Sequence, residues 1–240
     1  LASSVFAIII NFIAALLPLN GKTTQFLSDQ YKVFFTPAGY VFSIWGLIYL
    51  GILLFSYYQI KNPASISNKS RYFFILSSFL NAAWIFAWHY EMVLLSVIII
   101  VILLVSLIIV YLETIHSNKL FQIRFPISLY LGWISVATIA NTTVLLHTLN
   151  FNTQNINPET WTAIMIGVAS LLGIIMLIRH RDYIFNLVII WAIIGIFVKW
   201  PNVLVILYTS VICIIFISIV AILKLLKKFE FQTPLDVKEF

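Results

Sequence analysis

The chain has 240 residues, of which 62% are hydrophobic and 9% are charged, and its formal net charge is +6. An average soluble domain has about 25% charged residues, so this composition excludes an ordinary water-soluble fold and predicts an integral membrane protein. The positive charge does not predict nucleic-acid binding, because the basic residues are scattered and form no stripe with interleaved aromatic residues.

Apolar segments separated by short polar loops follow one another along the chain. A membrane-spanning helix needs about 17–25 apolar residues. Hydropathy predicts eight spans, at about 5–19, 40–60, 72–88, 92–112, 127–147, 161–178, 183–198 and 203–223. The first and the seventh of these are the shortest. The final stretch, 224–240, mixes basic, aromatic and acidic residues, and we expect it to lie at the surface. The predicted fold class is an all-α membrane bundle.

The basic residues give an independent test of the number of membrane spans, because Lys and Arg accumulate in loops that face the cytoplasm or an equivalent compartment. If all eight segments cross, one side receives 11 basic residues, which are Lys61, Lys69, Arg71, Lys119, Arg124, Arg179, Arg181, Lys224, Lys227, Lys228 and Lys238. The other side receives only Lys22, Lys32 and Lys199. We therefore expect both termini on the positive side.

Aromatic residues stand beside small or amide side chains at helical spacing in three of the predicted spans. These sets are Trp45 and Tyr49 in the second span, Asn81, Trp84 and Trp88 in the third, and Trp133, Ala137 and Asn141 in the fifth. No acidic or basic residue lies near the middle of a span, which argues against a proton relay or a voltage sensor. Convergence of the three faces would form an apolar cleft suited to a large, flat, lipophilic ligand.

Structural roles explain some of these residues as well. Trp88, Trp161 and Trp200 stand at span ends, where amphipathic rings anchor helices in the membrane interface. Amides such as Asn81 and Asn141 also form hydrogen bonds between membrane helices, and the spacing alone does not separate that role from ligand contact.

The sequence carries no signature of a catalytic or metal site. It has a single cysteine and no Gly-rich phosphate loop, and no acidic residue stands near a buried histidine. The histidines stand at span ends or in loops, where solvated or interfacial positions are favoured over axial ligation of a haem; they are His89, His116, His147 and His180. We expect no enzymatic activity, no catalytic residue and no metal ligand.

Three motifs follow one another in the second, third and fifth spans. Residues 37–49 read PAGYVFSIWGLIY, residues 81–84 read NAAW, and residues 126–141 read PISLYLGWISVATIAN. Together they resemble the signatures of the TspO/MBR family, the tryptophan-rich sensory proteins that include the translocator protein or peripheral-type benzodiazepine receptor. The resemblance covers about 1–150, and the last three spans resemble the extension of longer members.

The resemblance implies a five-helix unit whose pocket opens toward the first long loop, 20–39, and binds porphyrins and other tetrapyrroles. The positions that match the family's pocket are Tyr40, Trp45, Tyr49, Asn81, Trp84, Trp133, Ala137 and Asn141. The chain departs from the pattern at Tyr40, where Trp is common, and at Ser43 and Ile44, where a Pro is replaced. Residues 147–150 lack the Tyr and the basic residue of the weak cholesterol motif.

The resulting expectation divides the chain into a TspO/MBR-like five-helix unit (1–150), a three-helix extension (151–225) and a surface tail (226–240). The first hypothesis is a membrane protein that binds a tetrapyrrole in sensing, transport or regulation. The alternatives are an accessory subunit of a larger bioenergetic or pigment-bearing complex with a vestigial pocket, and a carrier for a lipophilic metabolite. Expected partners are the lipid bilayer and a hydrophobic small molecule, with other subunits or a homodimer left open. No nucleic-acid partner is expected, and the identity of any cofactor and of the membrane stays open.

Overall fold

The computed structural model describes residues 1–17, 19–31, 33–150 and 156–230. Within these ranges all regular elements are helical, and no strand occurs. The α-helices are α1 (Ala2–Leu16), α2 (Thr24–Gln30), α3 (Ile44–Lys61), α4 (Asn68–His89), α5 (Val93–Thr114), α6 (Phe125–Thr148), α7 (Pro158–His180), α8 (Tyr183–Lys199) and α9 (Leu204–Glu230). Each predicted span corresponds to one helix, and α2 is an addition within the first loop. The predicted all-α membrane fold is confirmed.

Helix length distinguishes two of these helices from the rest. In the described ranges, six helices are long and apolar enough to cross a membrane; these are α3 to α7 and α9. Helix α1 has 15 residues and meets the segment Leu19–Gln30 at a bend of 46°, and α8 has 17 residues. At 1.5 Å per residue, α1 and α8 measure roughly 22 and 25 Å, against about 30 Å for the hydrocarbon core. The protein is thus a multi-pass membrane protein, and eight crossings remain a prediction.

The central helix of the bundle is α6, which packs against α3, α5, α7 and α8. Every residue from Pro126 to Val136 is buried. Small residues bring the neighbours close: a Cβ on Gly51 of α3 would lie 3.3 Å from Pro126 Cα, and one on Gly132 would lie 3.0 Å from Val188 Cβ of α8. Close approach of this kind favours association of membrane helices, because dispersion contacts replace the missing hydrophobic driving force.

Buried polar side chains join the helices in pairs. Ser4 and Ser56 link α1 to α3 at 2.7 Å, and Asn11 Nδ2 donates to Asn81 Oδ1 of α4 at 2.5 Å. Between α6 and the start of α8, Ser128 Oγ donates to Asp182 Oδ2 at 2.6 Å. Such interhelical bonds are worth about 0.6 kcal/mol each on average, so they specify helix pairing more than they add stability.

Ion pairs show which basic residues share an end of the bundle. Lys69, at the start of α4, lies 3.0 Å from Glu113 at the end of α5. Lys22 contacts Glu91, which follows the last turn of α4, and Lys199 contacts Asp29 in the same loop region as Lys22. The two ends of α4 therefore separate Lys69 from Lys22 and Lys199, in agreement with the predicted charge distribution.

Candidate ligand-binding site

An apolar pocket lies between α4, α6 and the segment that joins α1 to α3. We call residues 19–31 and 33–43 of that segment the pocket loop. The empty volume is about 480 Å³, including the open mouth. The lining residues are Thr24, Ser28, Thr36, Pro37, Phe42, Trp84, Trp88, Trp133, Val136, Ala137, Ala140, Asn141 and Val144.

Helix α6 forms one wall of the pocket because its lining residues recur every three or four positions. Trp133, Val136, Ala137, Ala140, Asn141 and Val144 occupy one helical face. The alanines leave space beside the Trp133 ring, and the valines keep the surface apolar. A helical face with this composition can contact a broad, flat ligand without many hydrogen bonds.

A series of hydrogen bonds fixes the side-chain amide of Asn141 in this wall. Trp84 Nε1 donates to Asn141 Oδ1 at 2.9 Å, and Asn141 Nδ2 donates to Ser96 Oγ of α5 at 2.9 Å. Ser96 Oγ in turn donates to the backbone oxygen of Val93 at 2.7 Å. Because Trp84, Ser96 and Asn141 are all buried, this series of bonds fixes the orientation of the Trp84 ring.

Aromatic rings make up the α4 side of the pocket. The rings of Trp84 and Trp88 are 5.9 Å apart and 15° from parallel, as residues four apart on a helix allow. Trp133 meets Phe42 edge-on at 5.9 Å. Trp88 and Trp133 are 5% and 3% exposed, and in the described part of the chain neither indole N–H has a hydrogen-bond partner. A buried donor without a partner costs about 1–3 kcal/mol, so each N–H would gain from an acceptor brought within its reach.

The pocket loop forms the remaining wall and is attached to the end of α4. Asn20 Nδ2 donates to the backbone oxygen of His89 at 3.1 Å. Lys22 Nζ and Gln30 Nε2 donate to the two carboxylate oxygens of Glu91, at 2.5 and 3.0 Å. The hydrogen bond from Lys22 holds the pKa of Glu91 below its ordinary value. Burial, followed by the Glu91 charge, raises the pKa of Tyr31.

His89 differs from the solvated or interfacial histidine that the sequence predicts. Its side chain is fully buried at the end of α4, with Nδ1 2.8 Å from the backbone oxygen of Ile85. The hydrogen bond to the preceding turn satisfies one ring nitrogen, and α2 lies close enough to place Thr24 Oγ1 3.5 Å from Nε2. That prediction was wrong for His89, because a polar side chain at a helix end can be covered by the next loop.

Four of the eight predicted site residues line the pocket, and four do not. Trp84, Trp133, Ala137 and Asn141 line the pocket. The other four lie outside the described lining, and these are Tyr40, Trp45, Tyr49 and Asn81.

Each of those four residues has neighbours of its own. Tyr40 is 44% exposed and meets Trp191 edge-on at 5.3 Å. Trp45 stacks on Tyr49 at 5.5 Å and lies behind Trp133, with ring centroids 6.2 Å apart. Asn81 bonds to Asn11, which is the interhelical role that its spacing left open.

The predicted site residues leave out Trp88, although its helical face was expected to meet the cleft, and they leave out the pocket-loop residues. Trp88 was assigned to an interfacial belt because it ends a span, yet it is buried and lines the pocket. Its spacing of four from Trp84 was the available signal. Thr36 and Pro37 carry no such signal, because the segment that contains them has no regular period.

Comparison with protein-family models gives one match, described as TSPO-like protein, which covers residues 1–223. The chain belongs to the TSPO-like family. Members of this family are generally binding or transport proteins of membranes. Curated proteins and solved structures gave no match. The matched residues continue through α7, α8 and most of α9, so the family likeness extends beyond the five-helix unit in which the motifs lie.

Proposed function

We propose that this TSPO-like protein binds a flat hydrophobic ligand non-covalently in the pocket, with a tetrapyrrole as the first choice. The observation that carries the proposal is the convergence of Trp84, Trp88 and Trp133 on one apolar pocket beside Ala137 and Ala140. The lining of the pocket is predominantly apolar, which suits a ligand that is held mainly by burial.

Apolar burial would dominate the affinity. Each aromatic pair adds about 0.5–1.5 kcal/mol beyond burial, whereas burial itself contributes about 25 cal/mol per Å² over the whole face of a macrocycle. Few directional groups face the pocket, so related ligands should bind with similar affinity. This tolerance suits a protein that senses, carries or regulates a group of related hydrophobic molecules.

Orientation of the ligand would come from the indole donors. The N–H groups of Trp88 and Trp133, which have no partner among the described residues, would donate to carboxylate or carbonyl oxygens at the edge of a tetrapyrrole. Asn141 already bonds to Trp84 and Ser96, so its proposed role is to hold the Trp84 ring against the ligand.

Tryptophan fluorescence tests the proposal. Protoporphyrin IX added to the purified full-length protein in lipid nanodiscs should quench the emission saturably. Trp133→Leu should weaken binding about 5- to 150-fold, which corresponds to a loss of about 1–3 kcal/mol. Trp45→Leu should have a smaller effect, because Trp45 acts only through its contact with Trp133.

Trp161→Leu is the matched control, since Trp161 lies in the first turn of α7 and does not line the pocket. It should bind like the unmodified protein. Equal weakening by Trp133→Leu and Trp161→Leu would indicate general destabilisation or partition into lipid. The absence of saturable quenching by any tetrapyrrole would reject the proposal.

A second candidate is an accessory subunit of a larger membrane complex. Helix α9 favours it, because only 17% of the apolar window in Leu204–Leu226 is buried within the chain. Lipid or another subunit would cover the remaining face. A carrier is less well supported, because the lining residues belong to the pocket loop, the last turns of α4 and the part of α6 from Trp133 to Val144, toward one end of the bundle.

A further inference from the structure

Helix α8, in the C-terminal extension, lies directly behind the pocket loop. The backbone N–H of Ala38 donates to the backbone oxygen of Gly195 at 3.0 Å. Trp191 Nε1 donates to the backbone oxygen of Val41 at 3.1 Å. Buried backbone groups need such partners, and here the pocket loop obtains them from a helix about 150 residues later in the chain.

Gly195 allows this approach because it has no side chain. A Cβ at this position would overlap Val41 Cγ2 and would lie 3.0 Å from Pro37 Cβ. Pro37 itself lines the pocket. The absence of one methyl group on α8 therefore decides how close the loop wall of the pocket can lie to the extension.

Lys199, one turn further along α8, makes two polar contacts with the same loop. Its ammonium group pairs with Asp29 and donates to Thr36 Oγ1 at 3.0 Å. Thr36 is buried and lines the pocket, and its hydroxyl donates to the backbone oxygen of Val33 at 2.8 Å. The neighbouring Trp200 packs edge-on against Phe34 at 4.8 Å.

We propose that the C-terminal half of α8 is the outer support of the ligand pocket, with Gly195 and Lys199 as positioning residues. They hold the pocket loop against α4 and α6, and they thereby set how readily a small molecule reaches the interior and leaves it. The part that concerns tetrapyrrole release rests on the proposed function. The part that concerns access to the pocket does not.

A cysteine reporter tests access without any tetrapyrrole. Ala137→Cys places a thiol in the pocket wall of the full-length protein, on a Cys213→Ser background that removes the other thiol. Its reaction with N-ethylmaleimide in lipid nanodiscs is timed with and without Lys199→Ala or Gly195→Val. Lys199→Ala should accelerate labelling about tenfold, as expected from the loss of one or two polar contacts. Gly195→Val should also accelerate it, because the added side chain would overlap Val41 and push the loop away from α8.

Two controls separate support of the loop from general destabilisation. Ala64→Cys, an exposed position between α3 and α4, should label at the same rate in every background. Exchanging the charges, with Lys199→Asp and Asp29→Lys together, should restore slow labelling of the pocket thiol. Lys199→Asp alone should not, because it places two carboxylates side by side.

The ligand measurement uses the same variants without the reporter. Protoporphyrin IX should dissociate about tenfold faster from Lys199→Ala than from the unmodified protein. Unchanged labelling in both Lys199→Ala and Gly195→Val would overturn the role of α8, as would faster labelling that the charge exchange does not restore. Faster labelling with unchanged dissociation would overturn the part about release. If the unmodified protein binds no tetrapyrrole, the proposed function fails, while the pocket thiol still decides the role of α8.

Discussion

The two walls of the pocket are built differently. The helical wall consists of α4 and α6, whose lining residues repeat at helical spacing and in which Trp84 and Asn141 form hydrogen bonds within the bundle. The loop wall consists of residues such as Thr36 and Pro37, which follow no period. Its outward contacts come from α8, at Gly195 and Lys199.

The two walls are therefore stabilised by different sets of contacts. The helical wall is joined by hydrogen bonds among α4, α5 and α6, which follow one another in the chain, and α6 packs on α8 as well. The loop wall depends on contacts that join residues 150 to 170 positions apart. A segment with few regular hydrogen bonds opens at a lower free energy than a packed helix, so the extension controls the weaker half of the pocket.

Removal of the residues that follow Asn150 should have the largest effect on ligand affinity, because it takes away the helix that contacts the loop wall. The position of the motifs before Asn150 predicts that a chain ending there keeps the site. The contacts of α8 with the pocket loop and with Gly132 predict the opposite. The remaining helices should stay helical, while the affinity for protoporphyrin IX should fall more than about tenfold because several contacts are lost together. Circular dichroism and fluorescence quenching measure the two quantities. A folded, monodisperse chain with full affinity would show that the loop wall does not need α8.

A matched pair of amide substitutions tests the helical wall. Asn141→Leu leaves the buried Trp84 N–H without its acceptor, so it should lower the free energy of unfolding by about 1–3 kcal/mol and also weaken protoporphyrin binding. Asn81→Leu removes a buried amide that bonds to Asn11 outside the pocket, so it should cost similar stability and leave the affinity unchanged. Equal losses of affinity would show that Asn141 acts only through the stability of the bundle.

The same division explains how much the sequence could predict. Hydropathy located every α-helix except α2, because each of the others is a long apolar segment. Helical spacing placed Trp133, Ala137 and Asn141 on one face, and the family resemblance added Trp84 to them. Spacing could not exclude Asn81, because an amide that bonds to another helix has the same pattern as one that faces a ligand. Trp88 was assigned to the interface, since the sequence does not show that the pocket loop covers the end of α4. The contacts of Lys199 depend on how α8 packs, which no local pattern contains.

Removal of the indole donors should have a smaller effect. Trp88→Phe and Trp133→Phe keep an aromatic ring and remove the unpartnered N–H. Each should weaken binding of protoporphyrin IX about 2- to 12-fold, which corresponds to one hydrogen bond of about 0.5–1.5 kcal/mol. An alkyl porphyrin without carboxyl groups should lose less affinity, because it has no acceptor for the donor. Equal losses for both porphyrins would show that ring size, and not the N–H group, is responsible.

The smallest expected effect concerns the attachment of the pocket loop to α4. Because hydrogen bonding to Lys22 lowers the pKa of Glu91 in the folded protein, the contribution of this carboxylate is present above the ordinary value of 4.5 and is lost as the pH falls through the lower folded value. A spin label at Phe26→Cys, on the Cys213→Ser background, should therefore become more mobile only below about pH 4.5. The equilibrium for opening of the pocket loop should change by no more than about fivefold, since the Lys22–Glu91 pair is partly exposed.

Glu91→Gln should remove the pH dependence of the label's mobility. Lys199→Ala should raise the mobility at every pH, because it removes the contact of the loop with α8. An unchanged pH profile in Glu91→Gln would assign the titration to another group.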